Sequence, residues 1–225
     1  MAHIKQDEIR KIIESQGAIQ EGHFVLTNGR HSNIYVDKRR IYSYPNELAY
    51  WCKQLAQYFY DWASKHGIKI DAVVGPEQGG IVLSSWIAFI LTQLQSSATR
   101  SFFAKKHLNP DGSKDFILDD FAQEEIKGKV VLVCDDIVTT GKSCKLVVDR
   151  VRAHKGNVIG VAILVNRGLV FPETLTVNSD QLFSLVDMVA AEYWSDDCPL
   201  CKKKIPINTD LGHGKSFLNE QSGKG

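Results

Sequence analysis

The chain's 225 residues are enough for one sizeable α/β domain, or for a core with a small appended subdomain. Its 27 basic and 26 acidic residues leave a formal charge of +1, which excludes the strongly basic footprint of a nucleic-acid or membrane-surface binder. No apolar run approaches the roughly 20 residues that span a bilayer, and the polar, acidic start reads as neither signal nor transit peptide. Five scattered cysteines point to reduced thiols in a cytoplasm rather than to a disulfide framework. In chain order, Ile9, Ile12 and Ile13 recur at helical spacing over 6–16 and stop near Gly17. Phe24-Val-Leu26 and Ile34-Tyr-Val-Asp37 read as two strands joined by a tight Asn28-Gly29 turn. Pro45 and Asn46 open a long amphipathic helix with Leu48, Cys52, Leu55 and Phe59 on one stripe, and Gly67 ends it.

Asp71-Ala-Val-Val-Gly75 is a buried strand, followed by the turn Pro76-Glu77-Gln78-Gly79-Gly80 and a helix from Ile81 to Leu94. Glycines at 75, 79 and 80 let backbone approach a ligand closely at a helix start. Ser101-Phe-Phe-Ala104 is the next strand. Lys105, Lys106 and His107 then open a polar loop running through Asn109–Lys114, of a length usual for lids or disorder, with a solvated basic turn as the plain alternative. Phe116-Ile-Leu118, Asn157–Val165 and Leu182–Met188 read as further strands.

The most informative stretch is Val130-Val-Leu-Val-Cys-Asp-Asp-Ile-Val-Thr-Thr-Gly-Lys-Ser143. Val130–Cys134 fits a strand buried on both faces. Asp135 and Asp136 follow, then Ile137 and Val138, and then Thr139, Thr140, Gly141, Lys142 and Ser143. After them Leu146, Val147 and Val151 mark a helix that ends at Gly156. The loop and helix start offer N–H groups, hydroxyls and a positive dipole end to a phosphate. Two carboxylates beside that cradle would repel phosphate and call instead for hydroxyls or a divalent cation. A sugar phosphate satisfies both demands. A Walker A loop ending in Gly141-Lys-Ser143 would need glycine at 136, where Asp136 stands, so an NTPase is rejected.

Asp135 to Ser143 resembles the phosphoribosyl-pyrophosphate (PRPP) signature of type I phosphoribosyltransferases. Residues 17–40, with Phe24-Val-Leu26, Asn28-Gly-Arg-His-Ser32, Tyr35 and Asp37, are similar to the amino-terminal hood of the orotate members. The resemblance implies a type I phosphoribosyltransferase fold: one α/β domain over 1–225, with a largely parallel sheet flanked by helices. A small hood would be built from 1–45 and parts of the tail. It also implies transfer of ribose 5-phosphate from PRPP to orotate with Mg²⁺, in a homodimer.

Residue by residue, the resemblance gives Asp135 and Asp136 the ribose hydroxyls and the surroundings of Mg²⁺, with Thr139–Ser143 on the 5′-phosphate. Gly75–Gly80 would hold pyrophosphate. Lys105, Lys106 and His107 would reach pyrophosphate, commonly in the neighbouring subunit's site. Asn28, Gly29, Arg30, His31, Thr139 and Arg167 would orient orotate, an arginine fork suiting its carboxylate. Two departures stand out: Asn166 replaces the acidic partner of the Asp-Arg pair, and Gly79 replaces a lysine found in some members. In the tail, Cys198-Pro-Leu-Cys201 is half of a zinc site, and no second such pair exists in the chain. Cys198, Cys201 and His213, or a site shared between subunits, form the candidate ligand set, against a reduced structural turn, and a related Cys-Pro-Leu-Cys tail occurs in some orotate enzymes. Two other functions fit the loop: a phosphoribosyltransferase for another base, such as a purine, and a non-catalytic PRPP-sensing regulator.

Overall fold

The computed structural model describes residues 6–168 and 170–222. The chain divides into two compact units, one from Pro45 to Met188 and the other from the segments before and after it.

The larger unit starts with α3 (Pro45–Lys65), preceded in the chain by α1 (Gln6–Ser15), β1 (Ile19–Val25), β2 (His31–Val36) and α2 (Lys38–Tyr42) of the other unit. It continues through β3 (Ala72–Pro76), α4 (Gly79–Gln95), β4 (Arg100–Leu108), β5 (Lys114–Ile117) and α5 (Asp120–Ile126). Then come β6 (Val130–Val138), α6 (Lys142–Ala153), β7 (Asn157–Asn166), α7 (Pro172–Leu175) and β8 (Leu182–Asp187). Among the described residues its sheet runs β5-β4-β3-β6-β7-β8, parallel except for β5 at the edge. The expected α/β fold with a largely parallel, helix-flanked sheet is what the chain adopts.

The near-continuous apolar character of β3, β6 and β7 follows from cover on both faces. Val131 and Val133 pack with Val147, Val148 and Val151 of α6 and with Ala122 and Ile126 of α5. Alternation sends Leu132 and Cys134 to the other face, where the Cys134 thiol lies 3.9 Å from the Gly80 carbonyl of α4. On α3, Trp51, Cys52, Leu55 and Phe59 are fully buried, and the helix packs on α4, β7 and β8. A side chain at Gly160 of β7 would run into the Phe59 ring, so glycine there lets the helix sit close. Tyr58 stacks on Phe183 at 4.1 Å and Trp62 donates to Asp180 at 2.8 Å, so these aromatics are packing groups.

The polar segment after Ala104 is shorter than expected. β4 continues through Lys105, Lys106, His107 and Leu108 and pairs with β5, leaving a five-residue turn in which Asn109 N–H bonds the Ser113 carbonyl. Cross-strand pairing carried these charged residues into a hairpin that composition alone reads as loop.

The other unit holds α1, β1, β2 and α2, then β9 (Glu192–Tyr193), α8 (Pro199–Lys202) and α9 (Gly214–Ser222) from the tail, with sheet order β1-β2-β9. The Asn28-Gly29 turn joins β1 to β2 as expected, with Gly29 at φ 78°. α2 starts on an Asp37 cap that bonds the Arg39 N–H at 3.1 Å. No described helix is long and apolar enough to cross a membrane.

At the amino-terminal end of β3, the Gln95 amide bonds both backbone groups of buried Ile70, accepting from N at 3.0 Å and donating to O at 2.8 Å. Gln95→Ala strips that partner from a buried N–H and should cost roughly 1–3 kcal/mol. The change should appear as a lower urea midpoint with an unchanged slope, and an unaltered midpoint would show that the amide bridge contributes nothing.

Candidate active site

β6 runs four residues beyond its apolar stretch, because Asp135, Ile137 and Val138 pair with Ile163, Val165 and Asn166 of β7. The two aspartates are therefore strand residues, not loop residues, and alternation points them to opposite faces. Asp135 faces α6: its Oδ1 accepts the Asp136 N–H at 2.9 Å and its Oδ2 accepts the Cys144 thiol at 3.4 Å. Asp136 faces α4, and its Oδ1 accepts the Ile137 N–H at 2.7 Å. Both are buried. Burial first, and then the adjacent Asp136 carboxylate, hold the Asp135 carboxyl well above the ordinary range. The same burial, with Asp135 alongside, pushes the Cys144 thiol up.

Beyond β6, Thr140, Lys142 and Ser143 are exposed and Thr139 is half-buried. Gly141 takes φ 76°, and a Cβ there would also sit 2.9 Å from Val170, so no other residue suits this entry into α6. The helix's first-turn N–H groups lack intrahelical partners and face the loop side.

The turn after β3 meets this loop from the neighbouring strand. Glu77 N–H donates to the Ala104 carbonyl at 2.9 Å, the Glu77–Gln78 peptide is cis, and Gly79 opens α4. A Cβ built on Gly79 would fall on the Asp136 carboxylate, 2.7 Å from Oδ1 and nearer still to Oδ2. Gly80 lies so near Gly75 that its Cβ would meet the Gly75 Cα at 2.6 Å. The Asp136 side chain thus occupies the space into which any side chain at 79 would project.

Lys105, Lys106 and His107 are exposed at the carboxyl end of β4. Strand alternation puts Lys105 and His107 on one face and Lys106 on the other. Lys105 Nζ lies 3.7 Å from Asp119, and the Lys106 N–H donates to the Glu77 carboxylate at 3.0 Å, tying β4 to the turn. At the end of β7, Arg167 is buried and its N–H donates to the Val138 carbonyl at 2.7 Å. Asn166 accepts from Val170 N–H at 2.8 Å and donates to Val170 O at 3.2 Å, a pairing that an aspartate could not make because it has no donor. The second departure from the family pattern therefore closes the 166–170 turn.

In the smaller unit, Asn28 Oδ1 accepts from Arg30 N–H at 3.0 Å, and the Arg30 guanidinium lies 4.6 Å over the Trp194 ring. His31 departs from the expectation that groups it with them. Its ring is buried, and its Nδ1 lies 3.3 Å from Cys201 Sγ and 2.8 Å from His23 Nε2. The candidate metal set is corrected as well: Cys198 and Cys201 gather with His23 and His31, not with His213, whose N–H instead bonds Val25 O at 2.8 Å. The spacing of His23 and His31 across the Asn28-Gly29 hairpin was the signal that could have found them.

Residues 46–170 match the family profile described as Phosphoribosyl transferase domain. An orotate phosphoribosyltransferase of Thermoanaerobacter sp. is 34% identical over 206 residues, covering 91% of this chain and 96% of that protein. The enzyme of that name from Chlorobaculum parvum is 32% identical over 205 residues, covering 89% and 93%. The chain belongs to the orotate phosphoribosyltransferase family. Among solved structures, the orotate phosphoribosyltransferase of Aeropyrum pernix superposes with a TM-score of 0.59 at 23% identity, covering 80% of this chain and 93% of that one. An adenine phosphoribosyltransferase from Thermoanaerobacter pseudethanolicus gives 0.58 at 16% identity, covering 82% and 100%. The fold is thus common to enzymes named for different bases, and the base is a matter for side chains.

Because the Asp135 carboxyl titrates higher when folded than unfolded, its contribution to stability is complete at acid pH and is lost as pH rises through the folded value. Without substrate or divalent cation, Asp135→Asn should melt above the parent at about pH 8, with the gain closing toward about pH 4, where both states are protonated. A gain independent of pH would assign the effect to packing.

Proposed function

We propose that this member of the family transfers the 5-phosphoribosyl group of PRPP to orotate in pyrimidine biosynthesis, forming orotidine 5′-monophosphate and diphosphate. The carrying observation is the contact of Gly79 with Asp136, which sets a glycine turn and a carboxylate beside a phosphate-type loop. Those are the three chemistries that PRPP presents: a diphosphate, a ribose and a 5′-phosphate. Identities of 34% and 32% along most of the chain to proteins named orotate phosphoribosyltransferase support orotate as the base.

In the transfer, the C1′–O bond to diphosphate breaks and a C1′–N bond to the base forms, with the ring nitrogen's proton released. Positive charge grows at C1′ as the anion departs. Thr139–Ser143 hold the 5′-phosphate on the first turn of α6. Asp136 takes the ribose side of the cleft, where its charge favours the cationic ring. Asp135, with both oxygens bonded inside the protein, positions Asp136 and α6 rather than touching substrate. Backbone of the Gly75–Gly80 turn and a lysine of the β4 end receive the diphosphate. Arg167 supplies the planar cation that a carboxylate on the base calls for, a feature purines lack.

Mg²⁺ fits this donor set, since it binds through one or two carboxylates with substrate phosphate oxygens and water, and Asp136 stands beside the diphosphate turn. When bound it would neutralise charge on the leaving group.

The test is loss of orotate absorbance on mixing protein, PRPP, Mg²⁺ and orotate with pyrophosphatase, beside a panel of purine and pyrimidine bases. PRPP-dependent loss with orotate alone is expected. Turnover with a purine instead, or PRPP binding without any turnover, would overturn the assignment. Asp136→Asn should lower turnover by at least about 100-fold with an unchanged melting temperature, a loss of the size seen when a transition-state electrostatic partner is removed. Lys105 and Lys106 stand on opposite faces of β4, so their alanine variants should differ by about tenfold or more in turnover. Equal losses would mean that the β4–β5 hairpin does not keep this register during catalysis.

A further inference from the structure

Four side chains in the smaller unit converge without any role in the proposed reaction. His23 comes from β1, His31 from β2, Cys198 from the residue before α8 and Cys201 from within it. All four ligand-type atoms lie within 4.8 Å of one another, and three of the four residues are buried. His23 Nε2 is 3.6 Å from Cys198 Sγ and 3.6 Å from Cys201 Sγ, and His31 Nδ1 is 3.3 Å from Cys201 Sγ. A tetrahedral zinc with ordinary bond lengths would set nitrogen–sulfur edges of about 3.6 Å. The two nitrogens, 2.8 Å apart, need only move to about 3.3 Å. The cysteines are not joined in a disulfide.

The local fold aims these groups. Between Glu21 and Phe24 the β1–β2 register shifts, so Gly22 and His23 together face Asn33. Val25 pairs with His31, and two-residue alternation places His23 on the same face. His23 Nδ1 lies 2.7 Å from the Ile205 carbonyl. A carbonyl only accepts, so Nδ1 carries the proton and Nε2 directs a lone pair into the cluster. This is the backbone partner that metal-binding histidines commonly have. On the tail side, Cys198 caps α8 and Lys202 N–H bonds the Cys198 carbonyl at 3.1 Å, which folds both thiols into one turn.

Protein atoms alone leave the cluster unsatisfied. His31 Nε2 is buried and has no hydrogen-bond partner. If His31 carries its proton on Nδ1, Nε2 is a buried bare lone pair. If the proton is on Nε2, that N–H is orphaned and the two lone pairs of His23 and His31 confront each other at 2.8 Å. A cation bound by His23 Nε2 and His31 Nδ1 would turn that confrontation of lone pairs into two metal bonds, with the His31 proton kept on Nε2.

We propose that His23, His31, Cys198 and Cys201 form a closed, tetrahedral structural zinc site that clips the carboxyl-terminal tail to the β1–β2 hairpin. Two thiolates and two imidazoles suit zinc over hard cations such as Mg²⁺. With all four positions filled by protein, no open position remains for a reacting water, so the metal acts on folding. A small unit with a short three-stranded sheet gains most from such a staple. The two thiols lose their protons on binding.

The full-length protein, purified without chelator and dialysed, should contain about one zinc per chain by elemental mass spectrometry. Cys201→Ser and His23→Ala should each drop to background zinc, while His213→Ala should retain it. Cobalt substituted into the parent should give the visible absorption of a tetrahedral centre with a near-ultraviolet thiolate band. Should the ligand variants fail to fold, the parent itself decides. Chelator should release zinc to a colorimetric indicator and lower the melting temperature by several degrees or more. Parent protein free of stoichiometric metal, with no cobalt spectrum and melting unmoved by chelator, would overturn the site. Zinc retained in Cys201→Ser and lost in His213→Ala would overturn the ligand set.

Discussion

Parallel pairing of β3 with β6 is the constraint on which the larger unit's chemistry depends. It sets the carboxyl ends of two strands side by side, so the turn leaving one strand must share space with the side chains ending the other. The chain resolves the crowding with glycine. At Gly79 the missing Cβ makes room for the Asp136 carboxylate, and at Gly75 and Gly80 two backbone segments approach more closely than any side chain permits. Strand order reverses at this seam, because β4 lies on one side of β3 while β6 lies on the other. Ligands of open α/β sheets bind at such switch points, since adjacent loops there diverge to opposite faces and leave a crevice.

The same alternation that makes a strand divides the labour of the two aspartates. Their neighbours differ because Asp135 turns to the α6 face and Asp136 to the α4 face. One carboxylate ends in a buried environment with a thiol and a backbone donor, which favours its neutral form. The other lies against the glycine turn, in the space that the missing Cβ of Gly79 leaves open. Adjacent acids in a sequence look equivalent, but on a strand they occupy different solvents.

Much of the larger unit was legible. Buried strands at Asp71–Gly75 and Asn157–Val165 announce themselves because cover on both faces demands unbroken apolar runs. The long helix over Pro45–Lys65 was legible from its stripe and from Gly67, and the Asp-Asp-Thr-Thr-Gly stretch from residue types that few other purposes bring together. The two misread strand ends share one cause. β6 continues through its acids, and β4 through Lys105–Leu108, because a partner strand supplies hydrogen bonds that override the local preference for loop. α5 and α9 are short, and their stability comes from packing rather than from a periodic signal of their own.

Residue chemistry, short-range spacing and family resemblance are properties of the chain, so the sequence alone determined the fold class, the phosphate-type loop and the glycine turn. Which distant side chains meet is a property of register and folding, and only the tertiary structure decided it. His23 and His31 share a face because of the β1–β2 register, and the path of the tail brings the Cys198–Cys201 turn to them. His213, nearer in sequence to the cysteines, spends its backbone on β1 instead. Asn166 departs from the family's Asp-Arg pair, and only the fold brings its amide to the Val170 backbone, where both a donor and an acceptor are needed. Convergence of that kind depends on contacts between residues far apart along the chain, and no local pattern encodes it.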